Sequence, residues 1–299
     1  MYTAVSFALL HLNAPFSWTE WQIYPSFLVG WILLAVLYGL VAGPLRRFFP
    51  GSAPVPTRQI LWFAAGMVLM LIALQGPLHE LSDYYLFSAH MVQHLLIMLL
   101  MPPLLLMGIS GWMVRPLVRI RTVHIVAWFL TFPLVAFLLN NGIFLIWHFP
   151  GPYDLMMRNH DVHILMHVMI MGSGILMWWP ILSPLPELPR LAPALQMLYL
   201  FVLGIPMMVA ASMITFSREE IYIFYVEAPR VFALSPLQDQ QLGGAIMWVP
   251  GALVIWIAIT IVYFRWTHAE VRDEEKRMEG RLSPSRAGMV IAPPPYVER

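Results

Sequence analysis

The sequence predicts an all-α integral membrane protein with seven transmembrane helices, an outside N-terminus and a cytoplasmic C-terminus. Three observations carry this expectation. The 299 residues are 60% hydrophobic and 11% charged, with a mean hydropathy of +0.72. A soluble domain carries roughly 25% charged residues and could not cover its surface with so few. Seven apolar stretches reach the ~20 residues that a helix needs to cross a ~30 Å hydrocarbon core. Lys and Arg alternate between rich and poor connecting segments, as they do when one side of a membrane holds them.

The spans fall near 23–42, 60–76, 86–108, 123–146, 162–180, 194–215 and 240–264, each bounded by a polar joint rich in Gly and Pro. Residues 1–22 form an outer N-terminal segment, 23–265 the membrane domain, and 266–299 a charged, Pro-rich cytoplasmic tail. Within that tail a charged helix extension runs through Glu270–Arg281, and Ser283–Arg299 has the composition of disorder. The short stretch Ala4–Leu10 is too brief to span and no positive residue precedes it, which argues against a cleaved signal peptide.

Orientation follows from the cations. Segments 43–59, 111–122, 181–193 and 265–299 carry 3, 3, 1 and 7 Lys or Arg; the alternate segments 1–22, 77–85, 147–161 and 216–239 carry 0, 0, 1 and 2. The first set is therefore expected inside. An odd number of spans puts the two termini on opposite sides, in agreement. On that map nine acids lie outside: Glu20, Glu80, Asp83, Asp154, Asp161, Glu219, Glu220, Glu227 and Asp239. So do eight of the ten histidines: His11, His79, His90, His94, His148, His160, His163 and His167. An acidic surface rich in imidazole attracts cations. Cysteine is absent, which removes disulfides, thiolate metal sites, iron–sulfur clusters and cysteine nucleophiles.

Spans three and five both begin with His-x-x-x-His, as His90 to His94 and His163 to His167. Residues four apart share a helix face, so each pair can bind one metal or meet a partner from a facing helix. Imidazole suits copper, zinc, iron and nickel. A single histidine near an interface is more often an amphipathic anchor; two matched pairs on one side favour a metal or cofactor site. His79 before span three and His148 after span four could add ligands, whereas Trp147 and Tyr153 fit an ordinary aromatic belt. Glu80, Asp83 and Asp161 are candidate outer acceptors that would orient a ligating imidazole. Met91, Met156, Met157 and Met166 lie near these histidines, and Met207, Met208 and Met213 sit on span six. Thioethers select Cu(I), although methionine in a membrane helix usually packs. Asp239 opens span seven ahead of Gly243 and Gly244, as a ligand or a structural acid. The candidate metal set is thus His79, His90, His94, His148, His163, His167 and Asp239.

Taken together these motifs resemble those of the multi-span CtaG-type cytochrome c oxidase assembly factors, first associated with caa(3)-type oxidases. The matching features are His79 with His90-x-x-x-His94, Trp147-His148-x-Pro150 with Tyr153, His163-x-x-x-His167, and Asp239-Gln240-x-x-Gly243-Gly244 with Met247-Trp248, over about residues 20–265. The resemblance implies a factor that matures the haem–copper centre of a terminal oxidase by handling copper on the outer side. It implies passage of a metal to a partner rather than turnover of a substrate. The implied partner is haem–copper oxidase subunit I or its assembly intermediates, and the implied location is the bacterial cytoplasmic (inner) membrane, multi-pass, with lipid around it and no nucleic acid. A single-span copper chaperone of the same name works through cysteines and is a different protein.

Other classes compete. A single haem b held between spans three and five is the main alternative, and a structural subunit of a respiratory complex is the version without a site. Membrane desaturases use His-x-x-x-His with more histidines on the cytoplasmic side. A retinal protein needs a lysine within a span, and the one lysine is Lys276. A rhomboid protease would use Gly108-Ile-Ser110-Gly111, but Ser110 lies at the end opposite the histidines.

Overall fold

The computed structural model describes residues 16–19, 21 and 23–282, with side chains as far as Met278. His11, Glu20 and the tail Ser283–Arg299 lie outside the described residues. Helices α1 (Pro25–Ala42) and α2 (Thr57–Leu74) lead into a short α3 (Pro77–Tyr84). The next span is α4 (Phe87–Leu95), a π-helical segment Leu96–Leu100 and α5 (Met101–Gly108). After α6 (Gly111–Val118) come α7 (Arg121–Thr131), α8 (Pro133–His148), α9 (Pro150–Arg158), α10 (His160–Leu182), α11 (Pro193–Thr215), α12 (Ile223–Glu227) and α13 (Pro236–Leu282). No strand occurs among the described residues.

Six helices are long and apolar enough to cross a membrane, and α7 with α8 adds a seventh if that pair is one span. The span predicted over 123–146 is not one straight helix: the chain bends by 70° between α7 and α8. Pro133 is the cause. It has no N–H to offer Phe129, and its ring drives the preceding Phe132 out of helical geometry, to φ −60° and ψ 128°. The other predicted spans lie within about three residues of the observed helices, save that span seven continues unbroken into the predicted charged extension, a single helix of 47 residues.

The bundle is graded in burial. In α4–α5 the apolar window is 67% buried, against 6% in α1, so the histidine-bearing span is central and α1 faces outward. Pro102 and Pro103 cannot donate to the carbonyls of Met98 and Leu99, and the ladder widens there, with Met101 N–H bonded to Leu96 O. Helix α10 crosses this widened turn at Gly174, where a Cβ would come within 2.9 Å of Met98 O. Gly108 likewise abuts Phe63 of α2, where a Cβ would stand 2.6 Å from the Phe63 nitrogen. Small residues at these crossings let backbones approach closely, which is how membrane helices gain packing without a hydrophobic drive between them. The connectivity places α3, the start of α4, the end of α8, α9, the start of α10 and the 216–239 segment at one end of the bundle. Arg46, Arg47, Arg58, Arg115, Arg119, Arg121 and Arg190 lie in the joints at the other end.

Candidate metal centre

The two His-x-x-x-His pairs converge. The His90 ring centroid stands 4.2 Å from that of His94, 5.8 Å from His163 and 6.5 Å from His167. His94 lies 6.1 Å from His167 and 5.9 Å from His148, and His79 lies 6.4 and 5.9 Å from His163 and His167. Six of the candidate residues therefore form one buried group drawn from α3, α4, α8 and α10. Both nitrogens of His90 and of His94, and Nε2 of His148, His163 and His167, are buried without a hydrogen-bond partner. A buried polar atom left unpaired costs about 1–3 kcal/mol. This many in one place is unusual for a native interior, where nearly all such atoms are satisfied.

Three of the donor atoms lie close enough together that they could hold a cation. Asp83, His90 and His163 each place one ligand atom within 4.8 Å of the other two. Ligands of one metal lie closer, about 4 Å apart for bonds of about 2 Å, so these three atoms would have to draw together to share an ion. Asp83 spans two imidazoles, with Oδ1 3.4 Å from His79 Nδ1 and Oδ2 3.7 Å from His163 Nδ1. The sequence suggests Asp83 as an outer acceptor; in the fold it stands among the inner donors. Of the other two acids, Asp161 is exposed at the start of α10 and Glu80 is buried on α3.

Fixed partners orient the rings. His148 Nδ1 donates to Phe144 O at 2.6 Å, which directs the lone pair of Nε2 into the cluster. Gln93 donates through Nε2 to Ala73 O and to His79 Nδ1, both at 2.8 Å, and its Oε1 lies 3.0 Å from the Ser82 hydroxyl. Gln93 belongs to none of the motifs singled out in the sequence, although an amide deep inside an apolar span is a signal that could have found it. Burial pulls the His79 imidazole below its usual pKa, opposed by the Asp83 carboxylate, so the ring is favoured in its neutral form, with Nδ1 accepting from Gln93 and the proton on Nε2.

Asp239 stands outside this group. It is 0% exposed, and its carboxylate accepts from the N–H of Phe87 at 2.7 Å, from the N–H of Ser88 at 3.1 Å and from the Ser88 hydroxyl. It thus caps the first turn of α4 from the neighbouring helix α13, one turn from His90, and holds the two helices in register. Gly243 allows that approach, since a Cβ there would strike the Phe87 ring. Gln240 extends the clamp by accepting from the N–H of Ile221 at 2.6 Å and donating to Glu219 O at 3.1 Å.

An aromatic lid covers the cluster. Tyr153 is 0% exposed beside His90, with ring centroids 5.5 Å apart, and its hydroxyl lies 3.3 Å from that of Tyr225. Tyr225 donates to Ser82 O at 2.6 Å, and Tyr222 donates to His148 O at 2.9 Å. Trp147 is buried as well. The expected aromatic belt is corrected for Trp147 and Tyr153, which are buried instead of facing lipid, Tyr153 against His90. Of the methionines, Met91, Met156, Met166 and Met207 are buried core, whereas Met208 and Met213 point outward, Met213 at 69% exposure. Ser110, of the protease-like tetrapeptide, donates to Gln59 Oε1 at 2.6 Å, at the end far from the histidines.

An uncharacterized protein of Mycobacterium leprae is 25% identical over 271 residues, covering 85% of this chain and 40% of the relative. Uncharacterized proteins of Mycobacterium bovis and Mycobacterium tuberculosis are each 25% identical over 278 residues, with the same coverage. The chain thus spans about 40% of the length of the curated relatives it matches. No solved structure matches. Residues 36–269, which hold all six clustered histidines, Asp83 and Asp239, match the family model described as cytochrome c oxidase caa3 assembly factor. The chain belongs to that family.

Proposed function

We propose that this protein binds copper at the histidine cluster and passes it to a haem–copper oxidase during assembly, acting as a carrier and not as an enzyme. The carrying observation is the set of buried, unpartnered imidazole nitrogens in one cluster, together with the approach of Asp83, His90 and His163 to within 4.8 Å of one another. Neutral imidazole nitrogens with a single carboxylate, in a chain without cysteine, suit copper. His90, His163 and Asp83 would hold the ion, with His94, His167 and His148 close enough to exchange with them as it is taken up or released, and His79 beside them with its Nδ1 engaged by Gln93. The recipient would be subunit I of the oxidase or an assembly intermediate of it. In this reading the histidine end faces outward from a bacterial cytoplasmic membrane, with the arginine end inside.

A cavity of about 330 Å3 lies against the cluster between α1, α2 and α10 and offers a way in, lined by Asp83, His79, His163 and His167 together with Met70 and Met171. Copper is favoured over a single haem b because neighbouring rings already touch at 4.2–4.6 Å within each pair, leaving the imidazoles crowded together rather than spaced about a macrocycle. Metal analysis and the visible spectrum of the detergent-purified protein test this. The expected result is copper in near-stoichiometric amount without a Soret band. A Soret band, or absence of copper after growth and loading with copper, would defeat it.

A further inference from the structure

The arginine end holds a cavity of its own. It measures about 490 Å3 and opens between the α4–α5 span, α10, the start of α11 and the later part of α13. Its walls are apolar, with Leu99, Trp178, Val254 and Ile261 among them, and no carboxylate lines it among the described residues. The charged groups on it are Arg190 and Arg265. Arg190 Nε donates to Ser183 O at 2.8 Å, which leaves its two terminal nitrogens for another acceptor. Arg265 has no hydrogen-bond or ion-pair partner among the described residues. Glu187, the acid in the same joint as Arg190, is taken by Arg115 at 2.7 Å. Arg190 is pulled below its ordinary pKa by burial and then by the like charge of Arg265, so the two cations act on one another.

We propose that this cavity is a binding site for an anionic phospholipid, its phosphate held by Arg190 and Arg265 and an acyl chain lying along Leu99, Trp178, Val254 and Ile261. Two guanidinium groups without an acid form a receptor for phosphate, because the planar fork matches its oxygens. The apolar hollow below them has no use for a free ion and suits an alkyl chain. Basic pockets between spanning helices select lipid head groups in this manner. Trp266, next to Arg265 in the chain, also lines the cavity, and tryptophan is favoured at the membrane interface.

Native mass spectrometry of the full chain in detergent, titrated with phosphatidylglycerol or phosphatidylcholine, tests the assignment. The wild type should retain phosphatidylglycerol preferentially. Arg190→Gln with Arg265→Gln should weaken its binding roughly 30-fold, and Arg265→Gln alone, at an exposed helix position, about 5-fold. Ala258→Trp, which fills the hollow and keeps both cations, should also lose the lipid, whereas Arg46→Gln removes a charge elsewhere and should not. Equal retention of the two lipids would overturn the proposal. So would a preference that survives Arg265→Gln unchanged, or inorganic phosphate that competes the lipid off at micromolar concentration.

Discussion

The two ends of this bundle are built from the same helices and treat polar groups in opposite ways. At one end six imidazoles and two carboxylates are buried, several of the imidazole nitrogens are unpaired, and Tyr153, Tyr222 and Tyr225 pack over them on one side. At the other, guanidinium groups are displayed at helix ends and joints, where solvent and lipid head groups can reach them. Burying an unpaired polar atom is costly and displaying a charge is not. The arginine end is what a membrane protein carries for orientation and for lipid contact. The histidine end has a cost that orientation does not explain, and a bound cation would offset it.

The contrast can be broken most strongly at the imidazoles. His90→Ala or His163→Ala should each lower copper affinity by more than about 100-fold, beyond what an orienting partner contributes, while Arg115→Gln at the other end should leave it unchanged. Gln93→Leu removes the group that aims His79 and should cost about 10- to 100-fold, measured by competition with a chelator. Asp239→Ala should act on stability rather than on metal stoichiometry. It removes a buried cap that accepts three hydrogen bonds, and a loss of about 2–4 kcal/mol is expected in a thermal or denaturant melt in detergent. If Asp239→Ala instead abolishes copper binding in a protein that still melts like wild type, Asp239 is a ligand and its separation from the cluster is wrong. The smallest effect belongs to Met213→Leu, which should change neither copper content nor stability by more than about 0.5 kcal/mol, since that side chain faces outward. A reporter fused after Met278 sharpens the same contrast in space: activity on the cytoplasmic side places the histidines outside, and activity outside reverses them.

Much of this arrangement is legible in the sequence. Hydropathy locates six helices closely, because a membrane span is a demand on length and apolarity that a sequence states openly. It does not reveal the bend within 123–146, where the apolar run continues through Phe132 and Pro133 and only the proline marks the 70° turn. The pairing of His90–His94 with His163–His167 follows from i, i+4 spacing at matching depth. The position of Asp83 does not, because its approach to His90 and His163 depends on the tight path of α3 between α2 and α4. Asp239 can be placed at a helix start but not assigned a partner, since the N–H groups it caps belong to a helix about 150 residues earlier. Tyr222 and Tyr225 give no signal at all: a tyrosine in a joint reads as interfacial, and only tertiary packing turns it into a lid.

Everything proposed for the buried end depends on copper being held there by imidazole nitrogen and the Asp83 carboxylate. X-ray absorption at the copper edge of the loaded, detergent-purified protein tests that most directly, with the His90→Ala, His163→Ala double variant beside it. The wild type should show a first shell of nitrogen and oxygen with imidazole multiple scattering, and the double variant should lose that shell. A sulfur-dominated shell, or a spectrum that the double variant leaves unchanged, would contradict copper binding at these residues.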